Sequence, residues 1–483
     1  MIKLEKILTN IEILETQGMR PLMVNELTFD SRKVSKDDVY FAVKGTQVDG
    51  HDFIPLCIEN GASVIVCQEI PKQNFSTTYF VKVADSSKAL GIMASNFYDN
   101  PSSKLSLVGI TGTNGKTSTV TMLYNLFRSL GYSVGLLSTV KNKINNRDIS
   151  ATHTTPDAIQ INKLLNEMVE NACEYCFMEV SSHALVQNRV AGLNFKGAIF
   201  SNITHDHLDF HKTFAEYIKA KKIFFDNLSK DSFALINIDD RNGLVMAQNS
   251  LAKLKTYSIK TASDYRAKIM ENSFEGLLLN IDGSELLVPL VGSFNAYNIL
   301  AVYSAAMELG SDKTQILSAI SKIETAEGRF ETMKFSDGIV AIVDYAHTPD
   351  ALENVLNTIN KIRTGKEQLI TVVGAGGNRD KTKRPEMAAI AAKLSDKVIL
   401  TSDNPRNEEP EDIIHDMEKG ITAEDEYNVI SIINRREAIK TACTFSQKDS
   451  IILVAGKGHE KYQDIKGVKH RFDDKEILME YLK

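Results

Sequence analysis

Apolar residues along this chain fall into short unbroken runs bounded by turn formers, with stretches of helical periodicity between them. Leu105-Ser106-Leu107-Val108-Gly109-Ile110 is one such run, followed by a glycine-rich turn and a helical segment from about Lys116 to Gly131. Runs at 175–180, 197–203 and 233–238 repeat the arrangement. The pattern predicts alternating α/β structure with a mainly parallel sheet. Residues 264–292 break the rhythm: short alternating segments around Asp282-Gly283 predict a small antiparallel β insertion. Helices are expected from about Phe294 to Leu309 and near 313–323. Beyond the polar stretch Ala326-Glu327-Gly328-Arg329, strands at 339–344, 368–373, 397–401 and 450–455 alternate with helices, the pattern of a second, Rossmann-like unit. Residues 1 to about 100 mix short strands and helices and end in the turn cluster Asp99-Asn100-Pro101-Ser102-Ser103. The expected organisation is α/β in three domains, 1–103, 104–328 and 329–483, the central one of P-loop type.

A length of 483 residues fits that division, at ~100–200 residues per domain. With 43% apolar and 24% charged residues the chain can fill several cores. The net charge of -6 gives no global basic field for nucleic acid, so phosphate binding has to come from local sites. Acidic residues interrupt the apolar stretch at 1–15, unlike a signal peptide, and no run approaches the ~18 apolar residues of a membrane span. A cytoplasmic chain without membrane insertion is expected. Five scattered cysteines do not form a disulfide framework, and Cys173-x-x-Cys176 lacks a second pair, so both are expected to be small buried residues.

Candidate chemistry concentrates where strands end. Gly109-Ile110-Thr111-Gly112-Thr113-Asn114-Gly115-Lys116-Thr117-Ser118 lies between a predicted strand and helix, the setting in which backbone N–H groups cradle phosphates. Lys116 can reach the outer phosphates and the Thr117 hydroxyl can ligate Mg²⁺. The loop is a variant, with glycines at 109 and 112 and Ile at 110. Glu179 closes a buried strand and Ser181-Ser182-His183 follow it. Asn202 to His211 form a dense set of donors whose spacing suits Mg²⁺ with a nucleotide better than tetrahedral zinc. On residues alone, Lys219, Lys221 and Lys222 read as a solvated helix face, Ser293 or Asn295 as a helix cap, and Asp344 and Asp403-Asn404-Pro405-Arg406 as strand-end turns.

Thr111 to Ser118 resembles the nucleotide loop of the Mur ligase family, which folylpolyglutamate synthetases share, and the later motifs extend the likeness over nearly the whole chain. The resemblance implies an ATP-dependent ligase that forms an acyl phosphate in peptidoglycan precursor synthesis, with Mg²⁺ as cofactor, working as a monomer. It implies ATP contacts at Gly112, Thr113, Asn114, Gly115, Lys116, Thr117, Ser118, Asn295, Arg329 and Asp344. It also implies magnesium held by Thr117, Glu179, His207 and a carbamylated Lys221, with Lys116, Glu179, His207 and Lys221 as the catalytic set. The motifs most resemble those of ligases acting on UDP-N-acetylmuramoyl-L-alanyl-D-glutamate, which implies contacts to it at Ser31, Thr154, Thr155, Ser181, Gln187 and Arg189. His153 departs from the Asn expected before the Thr-Thr pair. The segment Asp403, Asn404, Pro405, Arg406, with Arg379, Gly456 and Glu460, resembles the site for meso-2,6-diaminopimelate, in which Arg406 would pair with the distal carboxylate. A ligase for L-lysine, a folylpolyglutamate synthetase and a P-loop switch or kinase are the alternatives at this point.

Overall fold

The computed structural model describes residues 1–45, 48–73, 75, 77–204, 206 and 208–482. The chain divides into two compact units, Met1–Arg266 with Leu300–Ala319, and Ala267–Ile299 with Ile320–Lys483.

Two larger sheets shape the first unit, beside a short pair of Ile2–Lys3 with Met23–Val24. Near the N-terminus, strands run in the order Glu15–Gln17, Tyr79–Lys82, Val64–Cys67, Val39–Phe41, Leu27–Thr28, all parallel except the first pair. Successive side chains of a strand point to opposite faces. Val39 and Phe41 therefore enter one core with Leu4, Ile7 and Met93, while Tyr40 and Ala42 enter another with Ile54 and Cys57. Burial on both faces is why these segments read as continuous apolar runs. Helix Ser86–Phe97 starts at Asp85, whose carboxylate accepts from Ser87 N and Lys88 N. It stops where Asp99 and Asn100 adopt positive φ, as the turn cluster predicts.

The larger sheet of this unit carries, in order, Val134–Leu137, Tyr175–Glu179, Ser106–Thr111, Gly197–Phe200, Phe233–Asn237 and Lys253–Ser258, all parallel. An antiparallel hairpin, Lys141–Ile144 with Arg147–Ser150, extends the Val134–Leu137 edge, and the sequence pattern did not reveal it. The strand expected over 197–203 ends at Phe200. Beyond it the peptide groups turn to hold the glycine-rich loop instead of a neighbouring strand.

In the second unit, strands run Glu331–Lys334, Val340–Asp344, Ile451–Ala455, Leu369–Ala375, Lys397–Ser402, Val429–Ser431, parallel after the first pair. Apolar clusters cover both faces. One of them takes in Val291, packed with Phe274 and Phe294, beside Phe330 and Ile342. The predicted insertion is the meander Tyr265–Ser273, Gly276–Ile281, Ser284–Val288, and Asp282 and Gly283 at φ +45° and +84° make its tight turn. A second unpredicted hairpin, Tyr462–Ile465 with Val468–Arg471, lies near the C-terminus. Among the described residues, no helix is long and apolar enough to cross a membrane. Cys173 and Cys176 are buried free thiols, as expected.

Candidate active site

Strand Ser106–Thr111 delivers the chain into the glycine-rich loop, and helix Lys116–Ser129 leaves it. Gly115 stands at the helix N-cap at φ +87°, a conformation that side chains rarely adopt. A Cβ on Gly112 would lie 1.9 Å from the Ser201 hydroxyl, with the Asn202 backbone at 3.0 Å behind it, so only glycine fits there. The stretch after Gly197–Phe200 then braces the loop. Thr113 N donates to Asn202 O at 2.8 Å and Asn114 N to Asn202 Oδ1 at 3.0 Å, while Ser201 Oγ donates to Asn114 O at 2.7 Å. Thr113 Oγ1 accepts from Thr204 N and lies 3.2 Å from Tyr217 OH.

Two lysines converge on this loop. Lys116 Nζ donates to the carbonyls of Gly112 and Thr113 at 2.9 and 2.8 Å, and Lys221 Nζ donates to the same Gly112 carbonyl at 2.8 Å. Helix Phe214–Asp226 therefore turns Lys221 inward, to 1% exposure, and the solvated-face reading holds for Lys219, which pairs with Glu216 at the surface. Burial, then the charge of Lys116, pushes the Lys221 ammonium well below its ordinary pKa, against a weaker pull from Asp206. A buried amine biased to its neutral form is a nucleophile. Thr117 and Ser118 are buried in the first turn of the helix.

Glu179 ends its strand almost fully buried, and both its oxygens are held by one residue: Thr139 N donates to Oε1 at 2.8 Å and Thr139 Oγ1 to Oε2 at 3.2 Å. Thr139 also reaches Thr154 Oγ1 at 3.1 Å. Thr155 Oγ1 donates to the Glu179 carbonyl and accepts from Ser181 N, and Ser181 caps helix Ser182–Val186. Arg189 donates to Gln187 Oε1 through two nitrogens, at 2.9 and 2.6 Å, and to the Thr155 carbonyl at 2.8 Å. Those acceptors are all neutral, and burial lowers the pKa of this guanidinium. An anion would satisfy it best. Ser31 opens a short 3-10 turn capped by Asp30, and no hydrogen bond joins it to this group. His207 lies outside the described residues.

In the second unit, Asp344 ends its strand and accepts from Phe330 N, and the Arg329 guanidinium lies over the Tyr345 ring at 4.6 Å. Burial raises the Asp344 carboxyl to about 6, although Arg329 pulls it down. Gly456 N donates to the Asp344 carbonyl. Asn295 is buried in the first turn of helix Ser293–Glu308, donating to Val291 O and accepting from Asn298.

The turn after strand Lys397–Ser402 is held from three sides. Asn404 Oδ1 accepts from Lys457 Nζ and Asp464 N, both at 2.9 Å, which fixes its amide so that Nδ2 donates to Glu460 Oε2 at 2.7 Å. Asp403 Oδ1 accepts from Asn404 N, while Asp403 Oδ2 is buried without a partner. Gly456 is packed against that oxygen, since a Cβ there would lie 2.6 Å from it. Arg406, at φ +51°, pairs with the unpredicted hairpin through its backbone and donates from Nη1 to Gly377 O at 2.6 Å. Pro405 packs its carbonyl on Gly377, where a Cβ would come within 1.9 Å. Arg379 is exposed.

The side chains that sequence reasoning missed are Thr139, Lys457 and Arg384. Thr139 lies beside the unpredicted hairpin and carried no signal. Lys457 stands inside Gly456-Lys457-Gly458-His459-Glu460 but is fully buried, which a lysine rarely is unless paired. Among the described residues no cluster of three His, Cys, Asp or Glu side chains could hold a metal alone. Hydroxyl and carboxylate oxygens at Thr117 and Glu179 do suit a hard cation shared with a phosphate.

Three family profiles match in chain order: Mur ligase family, catalytic domain, at residues 23–98; Mur ligase middle domain at 110–306; and Mur ligase, glutamate ligase domain, at 328–458. A relative from Cytophaga hutchinsonii, named UDP-N-acetylmuramoyl-L-alanyl-D-glutamate--2,6-diaminopimelate ligase, is 55% identical over 100% of this chain and 99% of its own. The chain belongs to the Mur ligase family. A Bacteroides fragilis relative of the same name is 53% identical over 99% of each chain. A solved Mur ligase structure with that name superposes with a TM-score of 0.71 at 32% identity, covering 99% of this chain and 98% of the other. Mur ligase architecture thus accounts for the α/β units and the mainly parallel sheets.

Proposed function

We infer that this chain is the ATP-dependent ligase that joins meso-2,6-diaminopimelate to the D-glutamate of UDP-N-acetylmuramoyl-L-alanyl-D-glutamate, acting as a monomer in the cytoplasm. The observation that carries this reading is the turn at 403–406. A guanidinium at Arg406 stands on the same turn as Asp403 and Asn404, with Glu460 bonded to Asn404. That arrangement of one cation beside acceptor groups complements an amino acid bearing a second carboxylate. L-lysine would leave the Arg406 charge unanswered, a mismatch that discriminates more strongly than a lost methylene. Relatives named for the same reaction at 53–55% identity across the full length support it.

ATP takes the glycine-rich loop with Gly112, Thr113, Asn114, Gly115 and Ser118, and Lys116 leaves the Gly112 and Thr113 carbonyls for its outer phosphates. Asn295, Arg329 and Asp344 contribute further nucleotide contacts. Thr117, Glu179, His207 and Lys221 hold magnesium, with Lys221 as its carbamate: the neutral amine adds carbon dioxide, a C–N bond forms and a proton leaves. Magnesium, when bound, neutralises charge on the transferring phosphoryl group. Ser31, Thr154, Thr155, Ser181, Gln187 and Arg189 bind the nucleotide dipeptide, Arg189 taking its diphosphate or carboxylate. The glutamate side-chain carboxylate attacks the γ-phosphorus and ADP departs. The diaminopimelate amine then attacks the acyl phosphate, losing a proton as phosphate leaves. Arg379, Asp403, Asn404, Pro405, Arg406, Gly456 and Glu460 orient that amine, which converts an encounter into an aligned step.

The test is phosphate release from ATP with the UDP-muramoyl dipeptide and either meso-diaminopimelate, L-lysine or no amino acid, with the nucleotide product weighed by mass spectrometry. Release and a mass gain with diaminopimelate alone are expected. Preference for lysine would overturn the specificity, and release indifferent to any amine would overturn the ligase reading.

A further inference from the structure

The loops after strands Leu369–Ala375 and Lys397–Ser402 carry Arg379 and Arg406, and they are stitched to each other. Gly377 N donates to Asn404 O at 2.9 Å, Arg406 Nη1 to Gly377 O at 2.6 Å, and Asn407 N to Asn378 Oδ1 at 3.2 Å. Asn378 N donates to Glu408 Oε1. Both loops place a non-glycine residue in the left-handed region, Asn378 at φ +53° and Arg406 at +51°, a conformation that persists only where the surroundings impose it.

Behind this seam lies Arg384, in the first turn of helix Lys383–Leu394 and 1% exposed. Its Nη2 donates to both oxygens of Glu408, at 2.9 and 3.0 Å, and lies 3.5 Å from Gly376 O. Its Nη1 donates to Asp416 Oδ2 at 2.9 Å, on helix Pro410–Glu418. Lys381 reaches Glu408 and Lys419 reaches Asp416 from the surface. The rigid fork of a guanidinium can bridge two carboxylates on different elements, which an ammonium cannot do with the same geometry. Only the guanidinium is buried, the Glu408 and Asp416 side chains being 19% and 25% exposed, and such ion pairs give little stability over apolar side chains of the same volume, so packing does not account for them. What the triad does fix is the position of Glu408, which together with Asn407 ties the 403–408 loop to Asn378.

We propose that Arg384 is a positioning residue for amino-acid selection: through Glu408 it locks the 376–379 and 403–408 loops into one rim and sets the separation at which Arg379 and Arg406 present their charges. The proposal rests on the reading of 403–406 as the diaminopimelate site. Neither Arg384 nor Glu408 touches substrate in this account.

The test compares Arg384→Met, Glu408→Gln and the double variant with the wild-type enzyme. Arg384→Met is expected to raise KM for diaminopimelate about 10- to 100-fold, with KM for ATP and for the UDP-dipeptide within about twofold, and to cut the preference over L-lysine by a similar factor. Glu408→Gln, which keeps the shape, is expected to raise it about 3- to 10-fold. Where Arg384→Met alone fails to fold, the double variant, which removes the charge of Glu408 and leaves Asp416 paired with Lys419, carries the test and is expected to show the raised KM. A purely structural role would lower kcat with the folded fraction and leave every KM in place; that result, or a wild-type KM in the folded double variant, would overturn the proposal. Loss of diaminopimelate-dependent turnover in the wild-type protein itself would instead overturn the assigned reaction.

Discussion

At the glycine-rich loop, Lys116 donates to the carbonyls of Gly112 and Thr113, whereas in the second unit Arg384 rests between the carboxylates of Glu408 and Asp416. A carbonyl is a neutral acceptor. It satisfies the N–H groups of a cation without itself cancelling the charge. A carboxylate cancels the charge and converts the cation into a strut. The same division separates Arg189 and Arg406, held by amide and carbonyl oxygens, from Arg435, whose fully buried guanidinium pairs with Asp474. Under the proposed function, the cations held by neutral oxygens are those assigned to ligands, and those held by carboxylates are structural.

Breaking the first kind should cost most. Lys116→Met is expected to slow ATP-dependent phosphate release about 10³-fold, on the order of 4 kcal/mol, in a single-turnover assay; a loss under tenfold would remove Lys116 from the phosphate site. Arg406→Lys keeps a charge but loses the fork, and kcat/KM for diaminopimelate should fall about 10²-fold, roughly 3 kcal/mol, with the preference over L-lysine collapsing in competition. Unchanged selectivity would remove Arg406 from amino-acid selection. Thr139→Val removes one of two hydrogen bonds to Glu179 while keeping the backbone one, so turnover should drop about tenfold, ~1.5 kcal/mol, with the Tm nearly unmoved.

Asp344 gives the smallest effect. Its carboxyl is expected to titrate near pH 6 by NMR. The folded state favours the protonated form, so the stability this group contributes is complete below the unfolded value of ~4 and is lost as pH rises through about 6. Arg329→Gln should move the midpoint higher, because Arg329 pulls it down. A midpoint that falls would break the comparison, since Arg329 would then not act as a charge on Asp344.

The strand, glycine-rich loop and helix at 106–129 were legible because their parts are contiguous: one strand, four loop residues and a helix start lie within a dozen positions. Both parallel sheets were legible because strands buried on two faces make unbroken apolar runs. Lys221 needed the fold, since nothing local distinguishes it from Lys219, and only packing turns one inward. Both unpredicted hairpins are short and polar on at least one face, Val468–Arg471 being exposed throughout, so neither produced an apolar run. Arg384 was illegible for a different reason. Lys383-Arg384-Pro385 reads as a solvated helix start, and its partners Glu408 and Asp416 are 24 and 32 residues away.

The order of strands in the second sheet also bears on how the protein is made. Ile451–Ala455 is inserted between Val340–Asp344 and Leu369–Ala375, so these two do not pair with each other and must await a strand roughly 80 residues further on. At ~5–20 residues per second on the ribosome, the nascent sheet stands open along its midline for several seconds. Unpaired strand edges of that kind are where chains aggregate. Translation speed between codons 376 and 455, and chaperone cover during it, should govern the yield of folded enzyme more than any earlier stretch of the message.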